Sequence, residues 1–82
     1  MLVSIRLFAR LRELAGSAEL TRNLEEGATA RSAWDLLVRD FPEMGHYTGV
    51  VSCAVNEEYA RLTAPLKDGD ELAFLPPVSG GA

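Results

Sequence analysis

One stretch of this chain constrains everything around it. Ala30, Ala33, Trp34, Leu37, Val38 and Phe41 recur at alternating steps of three and four, which lines them along one face of an α-helix. Thr29 stands where an N-cap belongs, and Pro42 stops the helix near Phe41. This is the strongest periodic signal in 82 residues, so one main amphipathic helix must find its apolar partner surface in strands.

Strand signals lie on both sides of it. From Leu2 to Ala9 the residues alternate, with Val3, Ile5 and Leu7 on one face and Ser4 and Arg6 on the other. Phe8 falls on the polar side of that alternation. Arg10 to Ala15 turns to helical spacing, with Leu11, Leu14 and Ala15 clustered and Gly16 placed as a C-terminal cap. Glu19 to Leu24 reads as a short polar strand at or near an edge, and Glu25-Glu26-Gly27 as a turn. Beyond the helix, Pro42 to Gly49 has no regular pattern and reads as a loop. Val50 to Val55 is β-branched and apolar, with Val51, Cys53 and Val55 sharing a face. Asn56-Glu57-Glu58 is a turn, Tyr59 to Leu62 a brief extended segment, and Lys67-Asp68-Gly69-Asp70 a tight turn. Glu71 to Leu75 is the last strand, with Leu72 and Phe74 directed at the core. The expected class is α+β: a mixed sheet of four to five strands with the main helix packed on one face. It forms one domain over residues 1–75, followed by a flexible tail over 76–82.

Charge and cysteine usage remove several function classes. The formal net charge is −4, no Lys/Arg-rich run occurs, and Lys67 is the sole lysine. Nucleic acid and anionic membrane surfaces repel such a chain, and a basic protein surface is the better match. With a single cysteine, Cys53, no internal disulfide can form, which suits a reducing cytoplasm. The start, MLVSIRLFAR, lacks the basic end, long apolar stretch and cleavage site of a signal peptide. No apolar run approaches the ~20 residues of a membrane helix, so the expectation is a soluble, cytoplasmic protein.

After Leu75 the pattern changes to Pro76-Pro77-Val78-Ser79-Gly80-Gly81-Ala82. Two prolines favour an extended course and withhold backbone donors, so the chain leaves the sheet stiffly. Two glycines then give the narrowest possible backbone. Fully extended, Pro76 to Ala82 reaches at most about 25 Å, enough to enter a narrow pocket in a partner while the domain stays outside.

Four segments carry a resemblance: Phe8-Ala9-Arg10-Leu11-Arg12-Glu13-Leu14-Ala15-Gly16, Ala54-Val55-Asn56, Pro65-Leu66-Lys67-Asp68-Gly69-Asp70-Glu71 and Phe74-Leu75-Pro76-Pro77-Val78-Ser79-Gly80-Gly81. In this order and spacing the chain resembles the small, sulfur-carrier subunit of molybdopterin synthase, a family with the ubiquitin-like β-grasp fold. The resemblance implies a carrier cycle. A ubiquitin-activating-type enzyme, which itself binds the ATP, adenylates the terminal glycine carboxylate, because a carboxylate is a poor electrophile and an acyl adenylate has a good leaving group. Sulfur replaces AMP to give a thiocarboxylate. The tail then enters the large catalytic subunit and donates sulfur to a cyclic pyranopterin monophosphate. By the same resemblance Gly81 carries the activated group and Gly80 keeps the approach narrow, and Pro76, Pro77 and Val78 are expected among the partner-binding residues. The carrier holds no cofactor of its own. Ala82 departs from the family, whose members typically end at the second glycine. Left in place, it would move the reactive carbon roughly 3.5 Å farther along and add a methyl group. The readings are removal by a peptidase, addition during expression, or partners that accept alanine.

At the root of the tail, exposed apolar side chains suggest a docking surface. Phe8 closes the solvent face of the first strand and Leu75 lies opposite Leu72 and Phe74 on the last, so parallel neighbouring strands would bring the two together. By resemblance, Arg12 and Tyr59 border the same contact with the large subunit. Other residues read as structural. Cys53 alternates with core positions and is a buried thiol, Trp34 belongs to the helix stripe, and His46 with Cys53 makes too small a set for a metal site. Glu57-Glu58 and Asp68/Asp70 are turn residues, and no phosphate-binding or dinucleotide fingerprint occurs. The alternatives are a sulfur carrier for thiazole or thioamino-acid synthesis, a ubiquitin-like modifier conjugated to lysines, and a non-covalent adaptor with an idle tail.

Overall fold

Two parallel strands, β1 (Leu2–Leu7) and β5 (Glu71–Leu75), form the centre of the sheet, with Ile5 opposite Leu72 and Leu7 opposite Phe74. This computed structural model describes residues 1–77; the expectations for Val78, Ser79, Gly80, Gly81 and Ala82 lie outside the described residues. Strand β2 (Glu19–Asn23) flanks β1, while β3 (Ser52–Val55) flanks β5 and β4 (Glu58–Ala60) closes the other edge. The order is β2-β1-β5-β3-β4, with every pairing antiparallel except β1 with β5. A short helix α1 (Ala9–Ala15) follows β1, and the main helix α2 (Ala30–Asp40) lies across one face. This is the β-grasp arrangement anticipated above.

Each boundary has a local cause. Gly16 ends α1 in the left-handed region at φ 73, its N–H donating to the Arg12 and Glu13 carbonyls, a conformation that costs glycine nothing. Thr29 and Ser32 cap α2 reciprocally: the Ser32 N–H donates to Thr29 Oγ1 at 3.3 Å and the Thr29 N–H to Ser32 Oγ at 3.0 Å. The next two N–H groups, of Ala30 and Arg31, find the carbonyls of Ala64 (3.0 Å) and Leu62 (2.8 Å). The chain between β4 and β5 thus satisfies the helix start and pins it to the sheet.

The core lies between α2 and the sheet. Val3, Ile5, Leu7, Leu72, Phe74 and Cys53 from the strands meet Leu11, Ala30, Ala33, Trp34, Leu37 and Met44. Trp34 is fully buried, its ring 5.0 Å from that of Phe74 and tilted by 59°, and its Nε1 donates to Thr48 Oγ1 at 2.9 Å. The Cys53 thiol donates to the Ala60 carbonyl at 3.2 Å, and burial raises its pKa, as an inert core thiol requires.

The stretch read as a loop is ordered differently. Pro42–Tyr47 forms a 3₁₀ helix with Pro42 at its start, and Met44 tucks into the core. A 3₁₀ turn with one buried side chain leaves no helical period to detect. The N–H groups of Val50 and Val51 both donate to the Tyr47 carbonyl, at 2.9 and 2.8 Å, so β3 starts at Ser52 instead of Val50. Among the described residues no helix is long and apolar enough to cross a membrane.

The turn before β5 is held by carboxylates. Asp70 accepts hydrogen bonds from Asn56 Nδ2 (3.0 Å) and the Lys67 N–H (2.7 Å), and Asn56 Oδ1 accepts from the Glu71 N–H (3.0 Å). The Asn56 bond, then the Lys67 bond, lowers the Asp70 pKa below its ordinary 3.8. A folded-state pKa below the unfolded value means stability that is present above pH 3.8 and lost as pH falls through the folded pKa. Asp70→Ala is therefore expected to destabilise the neutral-pH fold by about 1–2 kcal/mol. Urea titrations should show that gap narrowing once the pH drops well below 3.8.

Candidate functional site

The face of the sheet that α2 does not cover carries a row of residues set by register. Arg6 on β1 is opposite Ala73 on β5, Ala73 is opposite Ala54 on β3, and Ala54 is opposite Tyr59 on β4. The two alanines form a low floor. Phe8 and Leu75 stand at the end where β1 and β5 finish, Tyr59 at the β4 edge, and Arg6, Glu57 and Glu71 at the opposite side. Together these eight residues line one shallow depression of about 270 Å³. Phe8 is 42% exposed and Tyr59 80%, while Leu75 is half-buried. Large apolar side chains standing out around a small-residue floor are what a partner's side chains can fill.

Local structure explains the placement. Strand β1 ends at Leu7, so Phe8 is the N-cap of α1 in extended conformation and not a strand residue. Ala9 then turns at φ 51, in the left-handed region, before the chain enters α1. The β3–β4 hairpin turns through Asn56 at φ 51 and Glu57 at φ 71, the paired left-handed conformation of a two-residue hairpin loop. Glycine would adopt Glu57's conformation without strain, yet a carboxylate stands there, on the rim of the depression. Arg6 lies 3.7 Å from Glu19 and 3.8 Å from Glu71 in exposed ion pairs of small energetic weight.

The structure therefore brings together three of the anticipated residues, Phe8, Tyr59 and Leu75. Arg12 is exposed on α1 and does not line the depression. Pro76 and Pro77 follow Leu75 directly, half-buried and exposed respectively; Val78, Gly80 and Gly81 fall outside the described residues. Arg6, Ala54, Glu57, Glu71 and Ala73 were not anticipated. Their contribution depends on cross-strand register, which a period-two pattern within one strand does not reveal. A larger open groove, about 620 Å³, runs along the end of β2 and α2 past Arg22, Glu25, Ser32 and Arg39. It lies on another side of the molecule, and Arg22 there already pairs with Asp40 at 3.5 Å. Among the described residues no cluster of His, Cys, Asp or Glu can hold a metal ion.

Residues 5–81 match the ThiS family. The chain belongs to the ThiS family. Within it, the chain is 42% identical over 79 residues to the molybdopterin synthase sulfur carrier subunit of Arabidopsis thaliana, a match covering 96% of this chain and 82% of that protein. The crystal structure of SAMP1 from Haloferax volcanii superposes with a TM-score of 0.83 at 34% identity, covering 99% of this chain and all of that one. A complex of subunits 1 and 2 of molybdopterin-converting factor from Helicobacter pylori contains a chain with a TM-score of 0.68 at 26% identity, covering 99% of this chain and 100% of that one. The ThiS-family match and these neighbours bear out the ubiquitin-like α+β fold. The match spans the open face of the sheet and reaches Gly81.

Proposed function

We propose that this chain is a sulfur carrier in molybdenum cofactor biosynthesis, the small subunit of a molybdopterin synthase. Residues 1–75 serve as the docking domain and residues 76–82 as the delivery tail. The observation that carries the reading is positional: Phe8, Tyr59 and Leu75 share one open depression at the strand end from which the tail departs. A partner that covers this face is thereby placed to receive the tail. Arg12 contributes at the margin, Pro76, Pro77 and Val78 guide the entry, Gly80 passes the narrowest point, and Gly81 bears the thiocarboxylate. Pairing of subunits 1 and 2 in the Helicobacter pylori complex supports a large catalytic subunit as the partner.

The chemistry is divided between proteins. An adenylating enzyme of the ubiquitin-activating type supplies ATP and the acyl adenylate, and the large subunit supplies the pterin pocket. The carrier contributes a C-terminal carbonyl and needs no cofactor. The test is direct: the thiocarboxylated chain, mixed with the large subunit and cyclic pyranopterin monophosphate, yields molybdopterin, detected as its fluorescent oxidation product. Failure to form product with an active large subunit would count against the proposal. Phe8→Asp is expected to weaken large-subunit binding about 30-fold, the loss of a roughly 2 kcal/mol anchor, with an unchanged melting curve. Calorimetric titration checks it, and unaltered affinity would remove Phe8 from the interface.

A second reading is favoured by one relative. Small archaeal modifier protein 1 of Haloferax volcanii is 38% identical over 84 residues. A protein-modifier role would use the same adenylated tail but end in an isopeptide to a lysine of another protein.

A further inference from the structure

The depression on the open face of the sheet has two chemically different ends. Phe8, Tyr59 and Leu75 make one end apolar, Ala54 and Ala73 keep the floor low, and Arg6, Glu57 and Glu71 make the other end charged. An adjoining hollow of about 300 Å³, lined by Arg6, Asn56, Glu57 and Glu71, extends the charged end. Most polar groups there are already engaged. Arg6, the one cation among the described residues that line either space, lies 3.7 Å from Glu19 and 3.8 Å from Glu71. Asn56 Nδ2 donates to Asp70 at 3.0 Å, and its Oδ1 accepts from the Glu71 N–H at 3.0 Å. Glu57 differs. Its side chain is exposed, and none of the ion pairs among the described residues includes it.

The backbone holds that carboxylate in place against local preference. In a two-residue hairpin loop with both residues left-handed, asparagine followed by glycine is the favoured pair. Asn56 at φ 51 obeys the preference and Glu57 at φ 71 does not, so its Cβ crowds the following carbonyl. A side chain kept in a strained turn on the rim of a cavity argues for a use of that side chain.

Charge complementarity says what the occupant is. The chain carries a formal net charge of −4, which favours a basic partner surface. When a partner covers the depression and excludes water, an unpaired carboxylate on the rim must meet a cation or weaken the complex. We propose that Glu57 determines which partner surface this face accepts. It pairs with an arginine or lysine of the large subunit, whose neighbouring apolar side chain fills the space over Ala54 and Ala73. The inference rests on the docking role proposed above for the same face, and it adds the charge that the partner presents there.

The test titrates the cognate large subunit into the full chain at about 0.05 M and about 0.5 M salt, a range over which the Debye length shrinks severalfold. Glu57→Gln is expected to bind about five-fold more weakly than wild type at low salt, with the gap narrowing at high salt. Glu57→Lys, which sets like charges face to face, should lose roughly 30-fold or more. Glu57→Gly should bind as weakly as Glu57→Gln yet melt at or above the wild-type midpoint, because the turn is relieved. Glu58→Gln removes the same charge one residue along, where strand alternation turns the side chain to the face opposite Tyr59, and should stay within about two-fold of wild type. Unchanged affinity for Glu57→Gln, or equal losses for Glu57→Gln and Glu58→Gln, overturns the inference. So does a clearly lower melting point for Glu57→Gly, which would make Glu57 a structural residue of the turn. Sedimentation in which Glu57→Gln alters self-association of the free carrier, with large-subunit affinity intact, would assign the face to a second copy and overturn it as well. Wild type that does not bind the large subunit overturns the docking reading, and this inference with it.

Discussion

Removing Gly80, Gly81 and Ala82 is expected to abolish molybdopterin formation and to leave the domain's melting curve where it was. Among the described residues the buried core runs from Val3 to Phe74, upstream of the deletion, and the effect on stability should stay within about 0.5 kcal/mol. Its effect on function should be total because the deleted segment holds the carbonyl that the proposed cycle activates. What remains is expected to bind the large subunit through the proposed Phe8, Tyr59 and Leu75 surface and to compete with intact carrier for it. Three readouts separate the possibilities: thermal denaturation, affinity for the large subunit, and pterin product. A truncated chain that still delivers sulfur at the full rate would reduce the tail to an idle end and favour a non-covalent adaptor.

Trp34→Ala carries the largest expected loss of stability. The indole is fully buried, touches the Phe74 ring at 5.0 Å and satisfies Thr48 Oγ1 at 2.9 Å. Truncation leaves a cavity between α2 and the central strand and costs about 3–5 kcal/mol. A domain this small has a total stability near the low end of roughly 5–15 kcal/mol, so the substitution consumes much of it. Circular dichroism should show a midpoint lowered by roughly 12–40 °C, given about 4–8 °C per kcal/mol at this length. Trp34→Phe, which keeps most of the ring volume, should lose less than half as much. A small shift for Trp34→Ala would mean that the core does not depend on the contact between α2 and β5.

Much of this architecture was written in local patterns. The alternation of Val3, Ile5 and Leu7, the stripe from Ala30 to Leu37, the Thr29 cap and the Gly16 stop each express a constraint that acts within a few residues. Pro42–Tyr47 was opaque because a 3₁₀ turn burying only Met44 has no repeating face. The proposed docking face divides the same way. Phe8 and Leu75 stood out as apolar residues on polar sides of their strands, and Tyr59 was placed by family likeness. Arg6, Ala54, Ala73 and Glu71 became neighbours only through pairings between strands far apart in sequence, and Glu57 through the hairpin geometry that places it on the rim. Small floor residues such as Ala54 and Ala73 carry no signal of their own, since their role is to leave room.

The position of β5 has a mechanical corollary. It is hydrogen-bonded on both sides, to β1 and to β3, and the chain continues from its C-terminal end. Traction on that end runs along the strand axis, so both ladders are loaded in shear and must fail nearly together, whereas an edge strand would peel open one bond at a time. If the proposed tail is drawn repeatedly out of tight-fitting pockets, it is anchored to a strand held on both sides, where a pull loads two ladders at once.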